Sequence, residues 1–239
     1  MIVGHYATAL IAHNALPKYF IHQQLPKKAL LFFLIASQFQ DILWFVFHYL
    51  GLESTSPSDV FSATLSDMAV VMVYSHHLIP QLIWALVAFL AGKLLFNSNR
   101  IGLIAMLLSL GHFVLDLLSG HPHYLFGESS HQIGLGLYAN HVYAAILIEA
   151  VFVTAVLAYL FKAESAQGIV RARNNKMALI GLFVYGIVFL LLIATVSFRD
   201  RFGIPDFDLR INTAIPTIIL TYVGMLVFLL KVVSATDNT

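Results

Sequence analysis

The chain has 239 residues, 59% of them hydrophobic and 10% charged, with no cysteine and a formal net charge of +1. A soluble domain carries about 25% charged residues, so this composition excludes an ordinary soluble core and points to a polytopic membrane protein forming one domain over 1–239. The near-neutral charge, without a basic cluster, excludes nucleic acid as a partner, and the missing thiols leave imidazole and carboxylate as the available metal ligands.

Residues 3–16 read as an apolar helix ended by Pro17. At about 14 residues it is too short to cross ~30 Å of hydrocarbon, so a half-membrane or re-entrant form is expected. Its opening lacks a positive n-region and a small-residue cleavage site, which predicts that it belongs to the mature fold. Span one, 29–50, is interrupted by the single charge of Asp41; an acidic, Ser/Pro-rich loop over 51–67 follows. Span two, 68–96, holds His76, His77 and Pro80, and a hairpin around Asn97 and Asn99 leads into span three, 101–118, with His112 and Asp116 near its exit. A His-rich loop over 121–132 precedes span four, which opens at Gly134 and runs to Phe161 with Asn140, His141 and Glu149. The segment 162–176 is basic, span five covers 177–198, a mixed-charge loop follows, and span six covers 214–230. The expected fold is therefore an all-α membrane bundle of about six transmembrane helices plus the N-terminal half-helix. Residues 1–161 carry its polar groups, and 177–233 supply accessory helices.

Under this count ten of the 13 Lys and Arg residues fall on one side, and only Arg199, Arg201 and Arg210 on the other. The positive-inside bias then makes the first side cytoplasmic, together with the C-terminus, in what is expected to be a bacterial inner membrane. Asp41 and His76 each lie about nine residues from the outer ends of their spans, about 13 Å deep at 1.5 Å per residue. His112, Asp116, His141 and Glu149 fall in the same outer half, and a half-helix rising from Pro17 carries His5 to a similar depth. Convergence in one layer is the main argument for a site.

His112 and Asp116 are four residues apart, so on a helix their side chains share a face. A carboxylate within hydrocarbon costs roughly 2.5 to 3.5 kcal/mol on the insertion scale, which a chain retains for function or for pairing. The pair suits a divalent metal; the competing reading is a structural His–Asp pair joining spans three and four. Adjacent His76 and His77 face about 100° apart on a helix, so one of them, taken as His76, joins the site while His77 reaches a loop partner. Glu149 suits a general base, and His5 a ligand that completes or orients the set. His13, His22, His48 and His131 read as interface or loop residues, and His121 and His123 as either ligands at the outer mouth or a solvated pair.

Four blocks within 4–161 resemble a bacterial inner-membrane family described as membrane-bound metal-dependent hydrolases. Gly4-His5 is similar to its opening Gly-His, and Ser37-Gln38-Phe39-Gln40-Asp41 falls where the family has an Asp at the end of an apolar run. Tyr74-Ser75-His76-His77 resembles its Ser-His block, and Gly111-His112-Phe113-Val114-Leu115-Asp116 its His-x-x-Leu-Asp block. Gly134-Leu135-Gly136-Leu137-Tyr138 with Glu149 is similar to a Gly-Leu-Gly-Leu-Trp stretch with a later Glu in one branch. That branch carries a His four residues after the Asp, where this chain has Gly120 and then His121-Pro122-His123; the role of these two histidines stays open here.

The resemblance implies metal binding first. Together with the residues it gives an expected metal-dependent hydrolase in which His5, Asp41, His76, His112 and Asp116 hold the ion, and Asp116 and Glu149 act in catalysis. Zinc suits the N/O donors, with manganese or magnesium where carboxylates dominate. The expected partners are membrane lipids and a lipid or lipid-linked ester or phosphoester. The alternatives are an ion- or proton-coupled transporter using the same layer, and a non-catalytic membrane protein whose polar residues only specify packing.

Overall fold

The structure is a computed structural model and describes residues 2–15, 25–127, 129–206 and 212–234. Its elements are α1 (Ile2–Asn14), α2 (Leu25–Ser37), α3 (Phe39–Tyr49), β1 (Ser54–Ser56), β2 (Ala69–Val71), α4 (Val73–His76), α5 (Leu78–Phe96) and α6 (Asn99–Ser119), then α7 (Leu137–Asn140), α8 (Val142–Ala166), α9 (Arg173–Leu192), α10 (Phe198–Phe202) and α11 (Ala214–Ser234). Helices α5, α6, α8, α9 and α11 are each long and apolar enough to cross a membrane, and α2 with α3 makes a sixth, broken span. Leu82, Ile83, Leu86, Leu90 and Leu94 of α5, and Val184, Val188 and Leu191 of α9, face outward. Such continuous apolar belts are lipid contacts rather than a soluble surface. The chain is an all-α polytopic bundle whose one ribbon, β1 against β2, is antiparallel with Ser54 opposite Val71.

Helix α1 lies inside the bundle. Its 13 residues rise about 20 Å, short of a ~30 Å crossing. Val3, Tyr6, Ala7, Ala9 and Leu10 are all at most 1% exposed, as befits a helix that is apolar on every face. It packs on α2, α6 and α8, and a Cβ at Gly186 of α9 would come within 2.7 Å of Val3. The α5–α6 hairpin is equally close: a Cβ at Gly92 would lie 2.8 Å from the Gly102 Cα. Ser98 caps α6 by accepting the Ile101 N–H, the task a short hydroxyl does best at a helix start.

Two spans differ from the sequence expectation. The first is not one helix: α2 and α3 meet at a 60° bend. The Ser37 hydroxyl donates to the Leu34 carbonyl, and the Gln38 N–H takes Ile35 in a tightened turn. The second does not begin at Met68, because residues 69–71 pair in the ribbon and the long helix starts only at Leu78. His77 is extended (φ −75, ψ 156), so Pro80 falls in the first turn, where its missing N–H breaks no helical bond. A helix continuous from Met68 would place that proline in its interior.

The connections gather at two ends. At one, Arg100 reaches the Ala15 carbonyl, Gln167 reaches Asn14, and Arg171 reaches the Val232 carbonyl. At the other, the Leu65 and Ser66 N–H groups bond the carbonyls of Ile193 and Ala194, and the Leu78 N–H bonds Tyr124. Arg199 pairs with Asp59 at 2.8 Å at that same end.

Candidate metal centre

Five polar side chains from four helices meet beneath the second end. His5 comes from α1, Asp41 from the first turn of α3, His76 from the last residue of α4, and His112 and Asp116 from successive turns of α6. All are buried, none more than 7% exposed. His112 Nε2 lies 3.2 Å from Asp116 Oδ2 and 3.9 Å from Asp41 Oδ1; His76 Nε2 lies 3.2 Å from Asp41 Oδ1 and 3.9 Å from Asp116 Oδ2. His5 Nε2 is 3.1 Å from Asp116 Oδ1, and its ring stacks on His112 with centroids 3.6 Å apart. Two overlapping groups, His5–His112–Asp116 and Asp41–His76–His112, each keep their ligand atoms within 4.8 Å of one another. Bonds of about 2.0 to 2.1 Å at tetrahedral angles place neighbouring donors about 3.4 Å apart, which is the spacing found here.

The surrounding hydrogen bonds decide which ring nitrogens carry hydrogen. His112 Nδ1 is 2.8 Å from the Ser37 carbonyl, which only accepts, so Nδ1 donates, and in the neutral form that binds metals the ring would turn a lone pair on Nε2 toward both carboxylates. That carbonyl is available because Ser37 ends α2 at the bend, where helical acceptors lose their partners. His112 Nε2 itself has no hydrogen bond among the described residues. His76 is held in the same tautomer. The Glu53 carboxyl accepts the N–H groups of Tyr74 and Ser75 and the Ser75 hydroxyl, and the Ser75 oxygen sits 2.7 Å from His76 Nδ1. Burial pushes the Glu53 carboxyl above its usual range, and the Ser75 hydroxyl and N–H oppose this. With Ser75 donating to Glu53, His76 Nδ1–H donates to Ser75, leaving Nε2 as a lone pair facing Asp41. Imidazole nitrogens and carboxylate oxygens converging in a buried space form a set that could hold a metal ion.

Asp41 is oriented by a residue that sequence reasoning missed. Tyr222 of α11 donates its hydroxyl to Asp41 Oδ2 at 2.9 Å, and Tyr6 donates to the Tyr222 carbonyl at 2.9 Å. The last helix, expected to be accessory, therefore reaches the centre. Nothing in the sequence separates Tyr222 from the other aromatics of apolar spans. Glu149, expected as a base, lies under the start of α1. One carboxylate oxygen accepts the N–H groups of Val3 and Gly4 at 2.7 and 3.0 Å, and the other accepts the Tyr138 hydroxyl at 3.1 Å. It satisfies the unpaired donors of a helix N-terminus and positions His5 one residue further on.

The remaining histidines divide. His77 Nδ1 turns into the loop after α6 and accepts the Gly127 N–H at 2.8 Å. His48 meets Asn212, His131 and His141 are exposed, and His22 lies outside the described residues. His123 is not solvated: it is 1% exposed, its ring lies parallel to His76 at 5.8 Å, and neither nitrogen has a hydrogen bond among the described residues. Burial lowers His123 to about 3 and partly buried His121 to about 4, so both are neutral at pH 7.

A cavity of about 150 Å³ opens beside the cluster, lined at one end by His5, Asp41, His76, Asp116, His121 and His123, and elsewhere mostly by apolar side chains of α9, α11 and the ribbon loop. Three imidazoles and two carboxylates in a buried set are donors suited to a divalent ion of the zinc type. Comparison with protein-family models, curated proteins and solved structures finds no match to this chain in any of the three.

Proposed function

We propose that the cluster binds a divalent metal ion, zinc in the first place and manganese or magnesium otherwise, and that the protein is a membrane-embedded hydrolase of an ester or phosphoester carried by a lipid or lipid-linked substrate. The observation that carries the reading is His112: its Nδ1–H is fixed on the Ser37 carbonyl, while its Nε2 faces Asp116 at 3.2 Å and Asp41 at 3.9 Å. The four blocks that resemble the hydrolase family supply all five proposed ligands, His5, Asp41, His76, His112 and Asp116, from four helices.

A divalent ion held there supplies Lewis acidity toward a phosphoryl or carbonyl oxygen and lowers the pKa of water. The chain's own residues do the rest. Asp116 lines the cavity, so its carboxylate is placed to accept a proton from a substrate water there. Tyr222 fixes Asp41, Glu53 and Ser75 fix His76, and Ser37 fixes His112, so each group is held before substrate arrives. By the positive-inside bias the basic end faces the cytoplasm with the C-terminus, and the centre opens toward the outer leaflet of a bacterial inner membrane.

Elemental mass spectrometry of the detergent-purified protein, beside His112→Ala and Asp116→Asn, tests the reading. The expected result is about one equivalent of metal, lost in both folded variants, with turnover of a chromogenic phosphoester or ester lost alongside it. Folded wild type that takes up no metal after add-back would overturn the centre. Metal-loaded protein inert toward a panel of esters and phosphoesters would overturn the hydrolase.

A further inference from the structure

Two features of the cavity are not used by the metal centre. The first is its apolar arm. Beyond the cluster it runs between α9 and α11, past Leu190, Ile193, Ile218 and Met225. It reaches the lipid-facing side at Tyr185, which is 60% exposed yet lines the same cavity. A cavity near 150 Å³, open on the lipid side, is enough for a benzene-sized apolar group, or about six carbons of a chain, with the remainder passing out between the helices. The second is His123, 99% buried by exposed area and lining the polar end, with both ring nitrogens lacking a hydrogen bond among the described residues. Buried imidazoles are ordinarily satisfied, so a pair of open nitrogens beside a metal-type cluster marks the position of a polar ligand.

We infer that this cavity is the binding site of a single-chain segment of an anionic amphiphile. A phosphoester head lies between the cluster and His123, and the first six or so carbons of its chain lie in the arm between α9 and α11. The inference names the substrate of the proposed centre and rests on that reading for its chemistry. Two carboxylates balance a divalent ion, so a monoanionic phosphodiester meets no net repulsion there. His121 and His123 line that end, and each offers a ring N–H to its oxygens. A polar solute without a chain would leave the arm unfilled, and a plain hydrocarbon would leave His123 unsatisfied.

Binding is read without turnover. Trp44 lines the cavity and the chain has only two tryptophans, so Trp84→Phe leaves one reporter inside the site. 6-Bromohexylphosphonate, which has no ester to cleave, is titrated below micelle-forming concentrations beside 3-bromopropylphosphonate, in metal-loaded and metal-stripped protein. The expected result is saturable quenching that unlabelled hexylphosphonate displaces. At about fourfold in affinity per methylene, the six-carbon probe should bind roughly 60-fold tighter than the three-carbon probe. Thr221→Phe on α11, and independently Ile193→Phe at the end of α9, fill the arm and should remove most of that chain-length dependence. His123→Ala should weaken hexylphosphonate about tenfold, the value of one hydrogen bond to an anion, while hexanol keeps its strength as a competitor.

Linear quenching that both filling variants share with the parent would mean partition into detergent and would overturn the inference. Binding confined to metal-loaded protein and indifferent to chain length would also overturn it, by assigning the phosphonate to the ion alone. Equal loss of hexylphosphonate and hexanol in His123→Ala would remove the headgroup assignment. Chain-dependent binding that persists in a protein without metal would leave the cavity standing while the hydrolase fell, so the two readings fail separately.

Discussion

Tyr222→Phe isolates the contact by which the last helix reaches the centre. The substitution deletes one oxygen and keeps the ring that packs against Phe45 and Tyr6. What is lost is a 2.9 Å hydrogen bond to Asp41 Oδ2, on a carboxylate only 7% exposed. A hydrogen bond to a charged group contributes about 1.5 to 3 kcal/mol, and partners that orient a ligand are worth roughly 10- to 100-fold in metal affinity; the two figures agree. Competition between the protein and a chromophoric chelator should therefore show zinc held 10- to 100-fold more weakly. Tyr6→Phe is the control, because its hydroxyl bonds a backbone carbonyl rather than the carboxylate. That loss should lower stability by about 0.5 to 1.5 kcal/mol and leave the metal affinity within about threefold. An unchanged affinity in Tyr222→Phe, or equal losses in both variants, would refute Asp41 as a ligand whose geometry α11 controls.

Ser75→Ala cuts the path from Glu53 to His76 and frees the other tautomer; zinc affinity should fall about tenfold in the same competition, with the helical circular dichroism unchanged. Glu149→Ala leaves three donors in a buried space and should cost about 1 to 3 kcal/mol of stability, whereas Glu149→Gln, whose amide oxygen still accepts, should cost less and keep turnover. Loss of turnover in a stable, metal-loaded Glu149→Gln protein would restore Glu149 as the base. Gly92→Ala sets a methyl 2.8 Å from the Gly102 backbone and should destabilise the α5–α6 hairpin by about 1 to 3 kcal/mol in thermal unfolding; Gly224→Ala, with nothing within 4 Å, should not. At the loop end, burial raises Asp59, but hydrogen bonds from Arg199, Ser62 and the Phe61 N–H outweigh it and hold the carboxyl at about 2. A depressed folded pKa gives stability that is fully present above the ordinary value of 3.8 and is lost as pH falls through 2, so unfolding resistance should drop across that window and Arg199→Ala should flatten the drop.

How much of this was legible depends on whether the physics acts along the chain or across it. His112 and Asp116 could be read because a four-residue spacing fixes a shared face, and Asp41 because a lone carboxylate in an apolar run needs a partner. The spans were legible from run length. Their interruptions were not equally so: Pro80 was a signal for the late start of α5, but the bend at Gln38 has no proline or glycine and arises from a serine hydroxyl bonding backward. Glu149 was recognisable as a buried acid, yet its task depends on α1 starting above it, 145 residues away in sequence. Tyr222 carried no local mark, since a tyrosine in an apolar helix has the same surroundings in sequence whether it faces lipid or a carboxylate.

The interruptions themselves explain why the centre sits where it does. Backbone that leaves the helical pattern at membrane depth must find partners in protein, because lipid offers none. At Gln38 the break presents the Ser37 carbonyl, and His112 takes it; at His77 the break ends the short turn that carries His76 into the cluster. Between α7 and α8, a junction at His141 precedes the stretch of α8 from which Glu149 reaches the N–H groups of α1. The break at Gln38 thus exchanges a helical hydrogen bond for one that orients a cluster residue. A bundle designed only for packing would gain nothing from such an exchange. Restoring a continuous helix across the first break, with Ser37→Ala and Gln38→Leu together, should stabilise the span. It should also move the Ser37 carbonyl off His112, and metal affinity should fall as the melting temperature rises. A rise in both would refute the coupling between the bend and the centre.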